Sequence, residues 1–270
     1  MAEVLLTGHR GYIGSCVAKA LQCRGIDFNV IGGRLESLSS NSLNADYVIH
    51  CAGALRNRPN SLFSSNAEGT QRLLEAVGKS ARVVHVSTRG VYKIGETLLT
   101  EMSDISPDDA YGESKLLAEE FVRNSNQYVI FRATTLIGHG VIDSGPSFVS
   151  QALKRLVQKQ KVFLHTPDRL QDFLYVHTFA NLLVESLKEG EHWNQVFNAA
   201  GPHRSLHKFV ELLGSHLEEM TGIKPGIEYR PGDPPRTALL SSGKLHEYFG
   251  DIATQPSDST ITKMMVRNFQ

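Results

Sequence analysis

A short apolar run, Val4-Leu5-Leu6-Thr7, passes directly into the glycine-rich stretch TGHRGYIG at residues 7–14 and from there into a helical pattern. That order restricts the fold more than any other feature of the chain. Gly8 suits a tight turn, Gly11 removes a side chain that would hold a ligand off the backbone, and Gly14 lets the helix pack against the strand it follows. A strand that turns sharply into a helix N-terminus leaves free N–H groups and the positive end of the helix dipole at the turn, which suits a phosphate. The pattern predicts a seat for the pyrophosphate of a dinucleotide, built from Gly8, Arg10, Gly11, Tyr12, Ile13 and Gly14.

The same alternation continues along the chain. Further strands are predicted over 27–31, 46–51, 82–87 and 127–132, and helices over 14–24, 66–79 and 110–124. These strands are apolar throughout, as strands are when helices cover both faces of a parallel sheet. The expected fold is α/β: a Rossmann-type doubly wound parallel sheet with a small C-terminal substrate-binding lobe. Residues 1–140, extended by parts of 170–200, are expected to form the dinucleotide-binding domain, and 141–270 most of a discontinuous lobe. Longer loops at 140–146 and a Pro/Gly cluster at 230–236 mark that change of character, and the connection over 34–46 is too short for a helix plus a strand.

Composition excludes several classes of partner. Lys and Arg total 28, as do Asp and Glu, so the formal net charge is zero and no basic field favours nucleic acid or an anionic membrane. No apolar run approaches the roughly 20 residues that span a bilayer, and the segment from Met1 lacks the layout of a signal peptide. A cytoplasmic location is expected. Cys16, Cys23 and Cys51 form no CxxC pair, and His165, His203 and His207 show no ligand spacing, so no metal site is expected.

The second strand decides which dinucleotide is favoured. An acidic side chain at its end commonly binds the ribose 2′-hydroxyl of NAD. Here the strand runs into Gly32-Gly33-Arg34, and Arg10 lies in the glycine loop. Two guanidiniums near that ribose favour a 2′-phosphate, so NADP(H) is expected, with NAD(H) as the alternative because Glu36 lies in the same short connection.

Tyr111 and Lys115 sit one helical turn apart and share a face. A phenol near pKa 10 is a poor acid–base catalyst at neutral pH, and a neighbouring ammonium brings it toward working range. Just upstream, the strand over 82–87 ends in Ser87-Thr88, where a hydroxyl can hold a substrate carbonyl beside Tyr111. Together these residues suggest proton transfer coupled to hydride transfer.

With these motifs the chain resembles an extended short-chain dehydrogenase/reductase of the NAD-dependent epimerase/dehydratase type that modifies sugar nucleotides. The resemblance rests, in order, on TGHRGYIG, on DYVIHCAG at 46–53, NAEGT at 66–70, VSTRGVY at 86–92, YGESK at 111–115, RATTLIG at 132–138, QDFLYV at 171–176 and RPGD at 230–233. It implies Thr88, Tyr111 and Lys115 as catalytic residues, with Lys115 also bonding the nicotinamide ribose. Cys51, Ala52, Gly53 and Asn66 are implied beside the cofactor. Thr88, Arg89, Thr134, Thr135, Arg169 and Arg230 are implied beside the substrate, Arg230 gripping a nucleotide diphosphate. The apolar face of Leu116, Leu117, Phe121 and Val122 is either plain core or, as the resemblance implies, half of a homodimer contact.

Departures from the family pattern narrow the reaction. The 4,6-dehydratases carry an Asp-Glu pair after the Ser/Thr, whereas Thr88 is followed by Arg89-Gly90. The family's Arg-Asp-Phe is here Gln171-Asp172-Phe173, which removes a guanidinium and leaves two alternatives: Arg169 reaches the phosphate, or the substrate is not a nucleotide sugar. The expected activity is NADPH-dependent reduction of a keto group on a nucleotide-linked sugar, a 4-keto-6-deoxyhexose above others. An NAD-dependent sugar-nucleotide epimerase and a non-catalytic NADP-binding regulatory protein stand as alternatives.

Overall fold

The computed structural model describes residues 3–31, 33–40, 42–93, 98–138, 147–166, 168–232 and 238–269. The expected loop at 140–146 and most of the Pro/Gly cluster after Gly232 lie outside them. The first part of the chain runs β1 (Val4–Thr7), α1 (Tyr12–Cys23), β2 (Phe28–Val30), β3 (Tyr47–His50), α2 (Gly69–Val77), β4 (Arg82–Thr88), β5 (Leu98–Leu99), α3 (Ala110–Arg123), β6 (Gln127–Ala133) and β7 (Leu136–Ile137). There follow α4 (Phe148–Val157), β8 (Val162–Thr166), β9 (Leu170–Gln171), β10 (Leu174–Tyr175), α5 (Val176–Glu185), β11 (Gln195–Ala199) and β12 (Arg204–Ser205). The last elements are α6 (Leu206–Thr221), β13 (Ile227–Pro231), β14 (Leu239–Leu240), α7 (Gly243–Phe249) and α8 (Asp258–Arg267).

Six parallel strands form one sheet in the order β11-β6-β4-β3-β1-β2. Successive side chains of a strand point to opposite faces, and here both sets are apolar. Leu6, Ile49, Val84 and Phe131 meet α1 and α5 through Val17, Leu21, Phe179 and Leu183. Their neighbours Leu5, Val48, Val83 and Ile130 meet α2 and α3 through Leu73, Val77 and Val122. This two-sided burial is why the strands read as unbroken apolar runs. Burial of such surface is worth roughly 25 cal/mol per Å² and is the main term holding the layers together.

Strand order reverses at β1, which has β2 on one side and β3 on the other. In an open α/β sheet the ligand crevice lies at the carboxyl ends of the strands beside such a reversal. A second apolar cluster, with Val149, Leu153, Phe209, Leu213, Ile261 and Met265 from α4, α6 and α8, forms the core of the C-terminal part.

Two helix starts differ from the sequence reading. Helix α1 begins at Tyr12, because Gly11 already has the extended conformation of a helix cap. A π-helical turn over Phe63–Glu68 precedes α2, so the helical segment starts ahead of Asn66. The sixth strand, β11, comes from within the stretch expected to extend the first domain, and it closes the sheet beside β6.

Candidate active site

The glycine loop is shaped by close backbone approach. Gly8 has φ +70°, and a Cβ there would come 2.7 Å from the Ala52 nitrogen; a Cβ on Gly14 would fall 2.1 Å from the Gly8 carbonyl oxygen. The loop is therefore wedged between the end of β3 and the first turn of α1. Helix α1 opens at Gly11 with no side-chain cap and no acidic residue in its first turn. Its leading N–H groups are left for an anion, so the residues present fit a dinucleotide pyrophosphate. Tyr12 reaches the other way, donating its hydroxyl to the Gly138 carbonyl at 3.3 Å, and Ile13 packs against the sheet core. Arg10 and Arg34 are both exposed. Glu36 accepts a hydrogen bond from Ser65 at 3.1 Å.

A hydrogen-bond chain fixes the segment after β3. The Ala52 N–H donates to Thr7 Oγ1 at 3.1 Å, and Thr7 Oγ1 meets His50 Nδ1 at 2.7 Å. On the other side of the ring, His50 Nε2 meets Thr70 Oγ1 at 2.8 Å, and Thr70 donates to the Asn66 carbonyl. The directions of these bonds assign the proton to Nε2. Burial holds this histidine neutral, its pKa lowered to about 3. Burial also pushes the Cys51 thiol up to about 12, which makes it an inert neighbour of the crevice. Asn66 accepts the Ala54 N–H at 2.7 Å and donates to Ser114 Oγ at 2.9 Å, tying this loop to α3. Gly53 is pinned beside it, since a Cβ would lie 2.7 Å from Asn66 Oδ1.

The Thr88 hydroxyl lies close enough to the Tyr111 phenol to favour its ionised form. Strand β4 ends at Thr88, and Asp109 starts α3 by accepting the Gly112 N–H at 2.8 Å. The two elements pack so closely that a Cβ on Gly112 would stand 2.2 Å from the Gly90 carbonyl. Burial raises the Tyr111 pKa, while the Arg56 guanidinium and the Thr88 hydroxyl oppose that rise.

Lys115, one turn along α3 from Tyr111, has its amine bonded to β4. It donates to the Val86 carbonyl at 2.6 Å and stands 3.3 Å from His85 Nε2. Burial pulls its pKa down to about 8, partly offset by the Glu119 carboxylate. His85 is likewise held neutral by burial and by Lys115. Because an ammonium only donates, the His85 proton is on Nδ1, which has no hydrogen-bond partner among the described residues. Behind them Glu119, fully buried, receives Arg132 Nη2 at 2.7 Å and the Ser87 hydroxyl.

The expected substrate residues separate into two groups. Arg89 donates from Nη1 to Asp172 Oδ1 at 3.1 Å, to the Ala238 carbonyl at 3.3 Å and to Thr134 Oγ1 at 3.4 Å. Thr134 also donates to Asp172, whose other oxygen accepts the Leu240 N–H at 2.9 Å. Arg89, Thr135 and Arg169 line a cavity of about 250 Å³ with Ser147, Phe148 and Gln171. The Arg169 pKa is lowered by burial and by the neighbouring Arg89 guanidinium. Two cations thus share a cavity in which Asp172 is already bonded, an arrangement suited to an anionic ligand. Arg230 is not among the residues lining that cavity. Its guanidinium lies over the Phe163 ring on the exposed edge of β13.

Arg56, Asp109, His85 and Asp172 were not singled out by the sequence reading. Only Asp109 carries a local sign, the Asp that precedes a helical pattern. Among the described residues no group of three or more His, Cys, Asp or Glu side chains is placed to hold a metal ion. No helix among them is long and apolar enough to cross a membrane.

A model of the NAD dependent epimerase/dehydratase family matches residues 4–200. The chain belongs to this family. Its relatives include the dTDP-glucose 4,6-dehydratase of Salmonella typhimurium, 24% identical over 97% of this chain and 91% of that protein. They also include the UDP-glucose 4-epimerase of Azospirillum brasilense, 25% identical over 92% and 86%, and the spore coat polysaccharide biosynthesis protein SpsK of Bacillus subtilis, 27% identical over 92% of each. Among solved structures, the Bordetella bronchiseptica enzyme WbmH in complex with NAD+ aligns with a TM-score of 0.83 at 19% identity, covering 100% of this chain and 98% of that one. MoeE5 in complex with UDP-glucose and NAD aligns with a TM-score of 0.81 at 22% identity, over 99% and 98%. As an epimerase/dehydratase family member the chain is an enzyme of the extended short-chain dehydrogenase/reductase type.

Proposed function

We propose that this epimerase/dehydratase family member reduces a keto group on a nucleotide-linked sugar with NADPH, a 4-keto-6-deoxyhexose being the favoured substrate. The carrying observation is the Thr88–Tyr111 hydroxyl pair at the carboxyl edge of the sheet, followed by Arg89-Gly90 where a dehydratase needs an acid and a base. Gly8, Gly11, Tyr12, Ile13 and Gly14 would hold the dinucleotide, with Cys51, Ala52, Gly53 and Asn66 beside it and Arg10 and Arg34 at the ribose phosphate. When bound, the nicotinamide supplies hydride. Thr88 holds the substrate carbonyl oxygen and Tyr111 delivers a proton to it. Lys115, with two of its donors committed to Val86 and His85, has a third for a ribose hydroxyl.

The nucleotide diphosphate is assigned to Arg89 and Arg169, whose charges share the cavity with Thr135 at its wall, while Thr134 is bonded to Arg89. In this reading residues 1–140 bind the dinucleotide and 141–270 supply most of the substrate lobe. A homodimer is proposed through Leu117 and Phe121, which are half-buried and one turn apart on α3.

The test is to mix the protein with NADPH and nucleotide-linked 4-keto sugars and follow loss of the reduced cofactor. Tyr111→Phe should slow the reaction by about 10²–10⁴. An unchanged rate in that variant would remove Tyr111 as the acid. A sugar-nucleotide epimerase is the second reading, favoured by Glu36, a carboxylate in the connection after β2 that could serve an NAD ribose. An epimerase would carry tightly held NAD through purification and consume none during turnover.

A further inference from the structure

Arg56 stands outside every role assigned so far. It lies on the loop that leaves β3, with its guanidinium carbon 4.3 Å from the centroid of the Tyr111 ring. Its Nε donates to Asp109 Oδ2 at 2.6 Å, while the other Asp109 oxygen accepts the Gly112 N–H at 2.8 Å. One carboxylate therefore caps the helix that carries Tyr111 and at the same time holds a guanidinium against the ring. The outer end of Arg56 rests on the turn after β4, since a Cβ on Gly90 would come 2.9 Å from Nη2. Three segments that meet at the Thr88–Tyr111 pair are thus bridged by one side chain.

A planar guanidinium over an aromatic face is attracted by the ring quadrupole and keeps its charge at any working pH. The groups acting on Tyr111 come from three directions. Arg56 from the β3 loop and Thr88 from β4 favour the ionised ring, and Asp109 at the head of α3 disfavours it. Lys115, one turn along α3, spends its amine on Val86 and His85.

We propose that Arg56 is a positioning residue for Tyr111: clamped by Asp109, it fixes the ring beside Thr88 and supplies, in the unliganded protein, the positive charge that stabilises the phenolate. The inference rests on the reading of Tyr111 as proton donor, yet its test needs neither substrate nor cofactor.

A fluorinated tyrosine placed at position 111 gives a single fluorine NMR resonance that reports its own ionisation. Its transition would be followed against pH in the otherwise native protein, in Arg56→Gln and in Arg56→Lys. Arg56→Gln should move the transition upward by about half a unit to one unit at low salt, and Arg56→Lys should restore most of it. The difference should shrink as salt is added, because the Arg56 side chain is 57% exposed. Coincident transitions in Arg56→Gln and the native protein would overturn the proposal, as would Arg56→Lys behaving like Arg56→Gln. Full activity of Tyr111→Phe would instead sink the catalytic assignment and leave the titration result standing.

Discussion

Lys115 shows how far a residue's type fixes its role and where its surroundings take over. The spacing from Tyr111 made it visible, but spacing on a helix states only that two side chains share a face. The folded chain supplies the Val86 carbonyl and His85 Nε2, and these capture the amine. Burial lowers its pKa from 10.5 to about 8, so between those values the unfolded chain binds a proton that the folded one does not. Stability therefore rises with pH across that window, and below it the buried ammonium costs on the order of 3 kcal/mol. Lys115→Met should raise the melting temperature at pH 7, with the gain fading by pH 10, while the reaction is lost. A lower melting temperature at pH 7 would show that the hydrogen bonds of Lys115 outweigh its burial. Glu119 makes the opposite case, since it is the buried counter-charge of Arg132 at 2.7 Å. Glu119→Leu strands that guanidinium and should cost about 3–5 kcal/mol in denaturant unfolding. Neither partner set was legible in the sequence, because Glu119, Arg132 and His85 meet only once β4, β6 and α3 are packed.

At the level of elements the chain was largely readable, and the reason is physical. A strand covered on both faces is apolar along most of its length, so β1, β3, β4 and β6 announce themselves without alternation. Gln195-Val196-Phe197-Asn198-Ala199 does not, because Asn198 turns inward to accept the Tyr92 hydroxyl at 2.7 Å and a polar core residue hides the pattern. The helices show the same division. Their centres follow apolar periodicity, while their starts depend on caps whose partners lie elsewhere, as with the π-helical turn ahead of α2. Helix α3 is the element on which the site depends, and Asp109 is its cap. Asp109→Ala should remove about 1 kcal/mol of stability and release Arg56, whereas Asp109→Asn keeps an acceptor for the Gly112 N–H and should recover most of that loss in thermal melts. The glycine loop sets a sterner limit. With a Cβ 2.1 Å from the Gly8 oxygen, Gly14→Ala cannot keep the present turn. Loss of dinucleotide binding, read by quenching of protein fluorescence, is the expected result, and undiminished binding would show that the loop can open at small cost.

For the whole molecule the open choice is which dinucleotide the crevice favours, and binding energy alone can decide it. A ligand that binds only the folded protein stabilises it by RT ln(1 + [L]/Kd), about 2.7 kcal/mol at one hundred times Kd. Compared at one concentration, a tenfold tighter dinucleotide adds about 1.4 kcal/mol, which for a chain of this size is roughly 3 °C of extra melting temperature. Arg10 and Arg34 are exposed, so pairing either with a 2′-phosphate would uncover no buried surface. Their contribution is also open to screening. NADPH should therefore raise the melting temperature more than NADH at low salt, with the margin narrowing as salt is added. Arg10→Ala combined with Arg34→Ala should bring the two cofactors level. Glu36 supplies the counter-test: it is bonded to Ser65 and half-buried on the short turn after β2. If that carboxylate instead binds an unphosphorylated ribose, NADH gives the larger shift and Glu36→Gln removes it. That outcome would transfer the chain from the reductase reading to the epimerase one, because an enzyme that returns its hydride within a single turnover gains by holding NAD tightly.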